Sequence, residues 1–218
     1  GLALAVHWEP ALGVAGDAFD ISLVDEHRLA VSISDVEGKG MPAALFMASA
    51  RSVVRANVAA SETPGLALER ANAVLCAEAP NGMFVTLLLL RLSADGRIRY
   101  ANAGHQRPLL YRAATDDFID VGAPGFPLGI DPNVPYPAGE EQLASGDFLL
   151  LYTAGLTDAN DSLFALFGRE RLLATLHEAR RLPADEMRAR LRLAVEGFIG
   201  TTPPYDDVTF VLARRTAS

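Results

Sequence analysis

The alternation of hydrophobic and polar residues predicts strands in three separate blocks of the chain. Runs with a period of two, bounded by turn residues, are typical of β-strands. The predicted strands span residues 2–8, 19–24, 28–33, 83–92, 97–102, 109–112, 147–152 and 208–213. In the first block, the polar turn at Asp25, Glu26 and His27 predicts a hairpin. The second block, residues 83–112, is typical of a meander in which consecutive strands pair.

Apolar residues at helical spacing separate these blocks. The predicted helices span residues 40–60, 64–78, 169–180 and 184–199, and Pro42 suits the first turn of the first helix. The order is strands, helices, strands, helices, strand. Mostly antiparallel strands with helices in separate blocks predict an α+β layered domain with two sheets and helices packed outside them. A parallel, doubly wound sheet does not fit this order.

The size and charge of the chain bear on its number of domains and on whether it binds nucleic acid or membranes. With 218 residues, 50% of them hydrophobic, we expect one domain over residues 1–218. A net charge of −8 disfavours binding to nucleic acid or to anionic lipid. The longest apolar run, residues 84–90, is far shorter than the roughly 20 residues that a membrane helix needs, so no membrane span is expected.

The single cysteine and the start of the chain suggest where the protein acts. Cys76 leaves no partner for an internal disulfide, which suits a reducing compartment, and no signal-peptide pattern is present. We therefore predict a cytoplasmic location. Because the chain starts at Gly1 without a methionine, we expect it to be part of a longer protein, with an upstream sensor domain missing.

Two aspartates are predicted to meet at the open end of the first hairpin. If its turn is centred on Glu26 and His27, residues whose numbers sum to about 53 lie opposite each other. That register pairs Asp17 with position 36 and Asp35 with position 18, so the two aspartates lie close together. Two carboxylates about 4 Å apart would repel by roughly 4 kcal/mol at an effective dielectric near 20, so the pair needs a cation, a shared proton or an intervening water. A hard divalent metal is the natural partner.

A second acidic group is expected where the strand at 147–152 ends. If this strand runs antiparallel to the last one, Ala154 lies beside Asp206 and Asp207. Any one of these aspartates taken alone is more often a turn or cap residue, but several at strand ends favour a metal site. In residues 34–40, two glycines allow the backbone to bring carbonyls or amides to a ligand. The lysine spacing there does not match a phosphate-binding P-loop.

Short motifs spread over nearly the whole chain carry a family resemblance. They are AGDAFD at 15–20, SDVEGKG at 34–40 followed by two alanines at 43–44, NAGH at 102–105, PLGI at 127–130, SGD at 145–147, YTAG at 152–155 and DDVT at 206–209. In this order and spacing they resemble the PPM-type metal-dependent serine/threonine phosphatases, in particular the bacterial SpoIIE/RsbU-like subgroup. The resemblance implies a four-layer αββα sandwich with two Mg or Mn ions and a water molecule that attacks phosphorus.

The resemblance also implies roles for individual residues. Asp35 would bridge both ions, the backbone carbonyl of Val36 would bind the first, and Asp206 would bind the second. Asp17 would hold the first ion or its water. No protein nucleophile is expected. His105, in the Ala-Gly-His motif, is expected to hold its loop rather than to act in catalysis.

Three further residues are secondary candidates. Asp158 matches a position that helps to bind a third metal in some relatives, but a cap or turn role explains it equally well. Asp207 adjoins the expected ligand. Lys39 stands where some relatives have histidine, and an exposed lysine would stay protonated, supplying charge near phosphate rather than acting as a general acid.

The motif that is Thr-Asp-Gly in the family is Thr153-Ala154-Gly155 here. A methyl group cannot ligate a metal, so Ala154 marks a vacated ligand position and the second ion should bind weakly or not at all. Two explanations stay open. One is a substitution introduced to inactivate the protein, which the retention of the other acidic positions favours. The other is a naturally inactive relative that only binds its partner.

These observations leave three functions to distinguish. The first, which the family resemblance implies, is Mg- or Mn-dependent removal of phosphate from serine or threonine of a regulatory protein of the anti-sigma-factor antagonist type, in stress-response signalling, with this chain impaired by Ala154. The second is an inactive pseudophosphatase that binds a partner or forms a homodimer. The third, a phosphodiesterase or small-molecule phosphatase, would need a deep substrate pocket.

Overall fold

The computed structural model describes residues 1–11, 13–80 and 82–216. The chain forms two compact units, each built from separate segments. Unit 1 comprises Gly1–Gly13, Pro108–Val121 and Ala144–Ser218, and unit 2 comprises Val14–Arg107 and Gly122–Leu143. That residues 1–218 act as one domain stays a prediction.

The helices and strands follow one another as strands, two helices, strands, three helices and a final strand. In chain order they are β1 (Leu2–Glu9), β2 (Asp17–Asp25), β3 (Arg28–Val36), α1 (Met41–Ala60), α2 (Pro64–Glu78), β4 (Val85–Ser93), β5 (Arg97–Ala103), β6 (Leu109–Arg112), β7 (Asp117–Asp120), β8 (Gly139–Gln142), β9 (Phe148–Tyr152), α3 (Ala154–Asp158), α4 (Gly168–Ala179), α5 (Ala184–Ile199) and β10 (Val208–Arg215).

Unit 2 contains an antiparallel sheet of five strands in the order β2-β3-β4-β5-β8. Helices α1 and α2 pack on it through a core that includes Val54, Leu68, Leu75 and Leu89. Thr63 caps α2 by accepting a hydrogen bond from the backbone of Leu66, as the capping rules expect of threonine. The hairpin of β2 and β3 carries the first acidic pair at its open end.

Unit 1 contains the second antiparallel sheet, in the order β1-β10-β9-β6-β7. Helices α4 and α5 belong to its core, which includes Leu172, Leu176, Met187 and Phe210. All five residues of β9 are buried, in keeping with its unbroken apolar sequence. The predicted α+β class, with two mostly antiparallel sheets flanked by helices, is confirmed.

Most element predictions are confirmed, and the observed bounds of α2 and α5 coincide with the predicted ones. The predicted meander is confirmed only in its first half: β4 pairs with β5, but β5 then pairs with β8, whereas β6 pairs with β7 and β9. Alternation predicts a strand but not its partner. The sequence also missed β7, β8 and α3, which have four or five residues and, unlike β6 and β9, contain no run of three apolar residues.

Within the part of the chain that the structure describes, no helix is both long enough and apolar enough to cross a lipid bilayer.

Candidate functional site

The acidic pair of unit 2 lies at the open end of the β2–β3 hairpin. Asp17, the first residue of β2, is directly opposite Asp35 of β3. Asp17 is 5% exposed, and Asp35 is half-buried. The predicted proximity is confirmed, but the predicted register is wrong by one residue, because Asp17 pairs with Asp35 itself rather than with Val36. Residues directly opposite in an antiparallel pair project from the same face of the sheet, so both carboxylates stand on one face.

Three oxygen atoms, one from the side chain of Asp35 and two from the backbone that follows it, lie around the α-carbon of Gly16. A Cβ atom added to Gly16 would lie 3.6 Å from Oδ1 of Asp35, 3.6 Å from the carbonyl oxygen of Val36 and 3.7 Å from that of Gly38. The backbone N–H of Val36 donates to the carbonyl of Gly16 at 3.3 Å, which fixes the approach. Gly38 has a φ of 124°, a conformation that side chains rarely adopt.

We call the three oxygens around Gly16 the oxygen cradle: Asp35 Oδ1, Val36 O and Gly38 O. Carboxylate and carbonyl oxygens are the donors that Mg²⁺ and other hard cations prefer. Because Gly16 has no side chain, the space between them is left open. The donor chemistry of the cradle therefore fits a divalent metal ion, and Val36 contributes the carbonyl that the family resemblance predicts.

A histidine and a threonine support the strand that carries Asp35. Thr86 pairs with Asp35 in the β3–β4 ladder, and its hydroxyl lies 3.4 Å from the carbonyl oxygen of Asp35 and 2.9 Å from Nδ1 of His105. The side chain of Asn102 holds the His105 backbone at both its N–H (2.8 Å) and its carbonyl (3.0 Å). His105 is buried, so these contacts favour the structural role predicted for it.

Sequence reasoning missed Thr86 in this arrangement. Nothing in the alternation of β4 distinguishes Thr86 from any other polar strand residue. The spacing of three between Asn102 and His105 was a usable signal, since asparagine side chains commonly bond to backbone a few residues further along.

The acidic group of unit 1 lies where β9 ends and β10 begins. The backbone N–H of Thr153 donates to the carbonyl of Thr209 at 3.0 Å, which extends the pairing of the two strands. A Cβ atom added to Gly155 would lie 2.0 Å from the carbonyl oxygen of Asp207 and 3.4 Å from Cβ of Asp206. The prediction that the end of β9 lies beside the start of β10 is confirmed.

The two aspartates before β10 differ in their environments. Asp207 is buried, and its Oδ1 accepts a hydrogen bond from the backbone N–H of Ala11 at 2.8 Å. Asp206 is exposed, and its Oδ1 accepts from the backbone N–H of Asp207 at 3.0 Å. Asp207 therefore anchors the segment after β1, whereas Asp206 presents its carboxylate at the surface.

Ala154 is the first residue of α3 and is half-buried. Its methyl group offers no oxygen at the position where the family motif has a carboxylate. Over residues 1–11, 13–80 and 82–216, no three or more histidine, cysteine, aspartate or glutamate side chains are grouped so that they could hold a metal ion. A cation at the oxygen cradle would therefore depend on backbone carbonyls and water as well as carboxylates.

Asp158 and Lys39, the remaining candidates, are both exposed. Asp158 is the last residue of α3, and its Oδ1 lies 3.2 Å from the hydroxyl of Thr157. Lys39 lies in the turn between β3 and α1. Their roles, and those of the metal ligands, stay predictions.

Two proteins of known sequence are similar to this chain over most of its length. Protein IcfG of Synechocystis sp. is 29% identical over 95% of this chain and 37% of its own length. Phosphoserine phosphatase RsbU of Bacillus subtilis is 27% identical over 94% of this chain and 61% of its own length. The chain thus spans from 37% to 61% of the length of these two relatives.

Solved structures share the fold. The SiaA-PP2C domain of Pseudomonas aeruginosa superposes with a TM-score of 0.85 and 20% identity, over 98% of this chain and 86% of that one. The RsbU and RsbW domains of Rv1364c from Mycobacterium tuberculosis give a TM-score of 0.83 and 27% identity, over 100% of this chain and 62% of that one. The family model described as Stage II sporulation protein E (SpoIIE) matches residues 25–216. Because that match covers most of its length, the chain belongs to the SpoIIE family.

Proposed function

We propose that this chain is the catalytic part of a metal-dependent phosphatase that removes phosphate from serine or threonine of a regulatory protein, and that Ala154 impairs it. The observation that carries the proposal is the oxygen cradle of Asp35, Val36 and Gly38 beside Gly16, with Asp17 opposite Asp35. Membership in the SpoIIE family and similarity to Phosphoserine phosphatase RsbU support it.

Each acidic residue then has a proposed task. Asp35 and the carbonyl of Val36 bind the first Mg or Mn ion, Asp17 binds that ion or orients its water, and Asp206 binds the second ion. When bound, two such cations would activate a water molecule as the nucleophile and neutralise the charge of the phosphate. Lys39, exposed before α1, adds positive charge that favours binding of the phosphate. RsbX, a neighbour in fold with a TM-score of 0.72, has been solved in complex with magnesium.

Ala154 limits what the chain can do as it stands. Without a carboxylate at this position the second ion loses an anionic ligand, and metal affinity falls steeply when ligands are removed. We therefore propose low activity for this sequence and full activity for Ala154→Asp. The alternative is a pseudophosphatase that binds a partner without hydrolysis, which the methyl group at Ala154 also favours.

We propose an anti-sigma-factor antagonist, phosphorylated on serine or threonine, as the partner. The support is the similarity to RsbU and to a protein in which RsbU and RsbW domains occur together. An upstream sensor domain is a further proposal, consistent with relatives that are much longer than this chain, and the homodimer stays a prediction.

Hydrolysis of a phosphoaryl ester in the presence of Mn²⁺ tests the proposal. The chain is compared with Ala154→Asp, and calorimetric titration with Mn²⁺ is run on both. We expect Ala154→Asp to hydrolyse the ester much faster than the unaltered chain and to bind one more ion. The matched control is Asp35→Asn in the Ala154→Asp background. It should abolish both the hydrolysis of the ester and the binding of the additional ion. If Ala154→Asp neither hydrolyses the ester nor gains metal affinity, the phosphatase proposal is rejected in favour of the pseudophosphatase.

A further inference from the structure

A large apolar side chain projects from unit 1 in an unfavourable backbone conformation. Phe164 has a φ of 61° and is 84% exposed. Bulky residues rarely adopt the left-handed region, where glycine is the usual choice. Such a residue persists where the surrounding structure holds it, and these positions cluster at functional sites. Phe164 gains no compensating burial within the chain.

The hairpin that presents Phe164, residues 160–166, is tightly bonded. Oδ1 of Asp161 accepts hydrogen bonds from the backbone N–H groups of Leu163 (2.8 Å) and Ala165 (3.0 Å). The backbone of Asp161 also accepts from the N–H of Phe164 at 3.1 Å and donates to the carbonyl of Ala165 at 3.0 Å. The exposure of Phe164 is therefore imposed by a local network centred on Asp161.

Phe164 forms one wall of an apolar groove. The groove, which we call the Phe164 groove, has Phe164, Leu166, Pro203, Pro204, Tyr205 and Asp158 in its lining, together with two uncharged polar residues. Tyr205 is 73% exposed and Leu166 is 51% exposed. Exposed aromatic residues on a rigid backbone make effective anchors, because little side-chain or loop entropy is lost when a partner binds.

The charge of the groove restricts what can occupy it. Among its described lining residues the only charged side chain is Asp158, and Asp206 follows Tyr205 directly in the chain. The protein as a whole carries a net charge of −8. A second copy docked symmetrically would bring the same aspartates toward each other, and like charges at such contacts are unfavourable. A partner with basic side chains beside an apolar one fits better.

We infer that the Phe164 groove docks the protein substrate, through an apolar side chain of that substrate flanked by lysine or arginine. Tyr205 joins the groove to Asp206, so a substrate held there would have its neighbouring residues next to a proposed metal ligand. This inference rests on the proposed function, since it identifies the groove's occupant as the substrate of that site. It assigns recognition to Phe164 and Tyr205, which take no part in the proposed chemistry.

Binding tests the inference without requiring turnover. Fluorescence anisotropy is measured for short labelled peptides that contain one phosphoserine, one leucine or phenylalanine at a varied position, and flanking arginines. Matched peptides replace the apolar residue with serine or the arginines with glutamate. We expect the apolar, basic peptides to bind at least about tenfold more tightly than either control, the range in which a single anchor residue acts.

The decisive variant is Phe164→Gly, which suits the left-handed conformation and so preserves the hairpin. We expect it to weaken binding of the apolar, basic peptides about tenfold. The control Leu193→Ala, which removes an exposed apolar residue of α5, should leave binding unchanged. In the Ala154→Asp background, Phe164→Gly should lower kcat/KM for the peptides and leave hydrolysis of the phosphoaryl ester as it was.

The outcomes separate this inference from the proposed function. If Ala154→Asp hydrolyses the ester but Phe164→Gly binds every peptide as the parent chain does, the docking inference is overturned and the phosphatase proposal stands. If peptides bind in a Phe164-dependent way while Ala154→Asp hydrolyses nothing, the groove is a docking site but its occupant is not a substrate, which also overturns the inference. Self-association that Phe164→Gly abolishes in sedimentation velocity would assign the groove to a second copy instead.

Discussion

Asp17 lies directly opposite Asp35 in the pairing of β2 with β3, and a shift in register between Leu23 and Asp25 produces this alignment. Next to the turn, Asp25 pairs with Arg28. If that register continued, Asp17 would face Val36, and the side chains of Asp17 and Asp35 would point to opposite faces of the sheet, because a slip of one residue inverts the face. The irregularity therefore brings both carboxylates to one side.

Gly16→Ala tests whether the oxygen cradle binds metal. The added methyl would be in ordinary contact, at 3.6–3.7 Å, with all three oxygens, so it fills the space a cation would need without a steric clash. We expect the free energy of unfolding to change by less than about 0.5 kcal/mol. In calorimetry, affinity for Mn²⁺ should fall by at least about tenfold, the size of effect seen when the surroundings of metal ligands are altered.

The control for this variant is Gly13→Ala, since a Cβ atom there meets nothing within 4 Å. It should leave both stability and affinity for Mn²⁺ as they were. Equal affinity for Mn²⁺ in the parent chain and in Gly16→Ala would show that the cradle is not the metal site.

The sequence predicted where the acidic residues lie better than it predicted how the strands connect. Strand ends and hairpin turns are local features, so Asp17 with Asp35, and Ala154 with Asp206, could be placed from alternation and antiparallel pairing alone. The shift in register that aligns the first pair could not be predicted, because no glycine or proline marks it. The strands that pair with β6 could not be predicted either, because its four residues carry no information on which sheet they join.

Gly155→Ala should be strongly destabilising. A Cβ atom at this position would lie 2.0 Å from the backbone oxygen of Asp207, so the chain before β10 must move. Overpacking of this kind costs about 1–3 kcal/mol or more, and the displacement should also weaken metal binding that depends on Asp206. Urea denaturation of the variant and the parent chain measures the loss.

For a second glycine in the same unit we expect replacement by alanine to raise the stability rather than lower it. Gly197 lies within α5, and a Cβ atom there has nothing within 4 Å. Because glycine is about 0.5–1 kcal/mol less favourable than alanine inside a helix, Gly197→Ala should raise the midpoint in urea. Unaltered stability of Gly155→Ala would contradict the close packing of Gly155 on Asp207.

The buried guanidinium of Arg91 bonds to carbonyl groups at the end of α1. It is 4% exposed and donates to the carbonyls of Val58, at 2.9 Å, and of Ser61 and Glu62. Burial lowers the pKa of this guanidinium. Arg91→Met keeps much of the volume but leaves these carbonyls without their donor. We expect a loss of about 2–3 kcal/mol in the free energy of unfolding, since unsatisfied buried polar groups cost about 1–3 kcal/mol.

Arg97→Met on the neighbouring strand β5 is the control for Arg91. Arg97 is exposed, so its replacement should change the free energy of unfolding by less than about 0.5 kcal/mol. A comparable loss in both variants would mean that charge or strand propensity, rather than the bonds at the end of α1, explains the effect of Arg91.

His7 should make the stability of the protein depend on pH. Burial lowers the pKa of His7 below 6.5, and the nearby carboxylate of Glu9, 3.2 Å from Nε2, opposes this only in part. The unfolded chain therefore binds a proton more readily than the folded protein. Neutral His7 therefore contributes to the free energy of unfolding. This contribution is fully present above the pKa of His7 in the unfolded chain, and it is lost as the pH falls from about 7 toward 5.

Two variants with opposite effects test this linkage. His7→Gln removes the titrating group, so its free energy of unfolding should fall less than that of the parent chain between about pH 7 and pH 5. Glu9→Gln removes the charge that raises the pKa of His7, so the loss should become steeper over the same range. Urea denaturation at several pH values gives both slopes, and NMR titration of His7 gives its pKa directly. Parallel curves for the parent chain and His7→Gln would show that burial of His7 beside Phe210 does not govern the acid sensitivity.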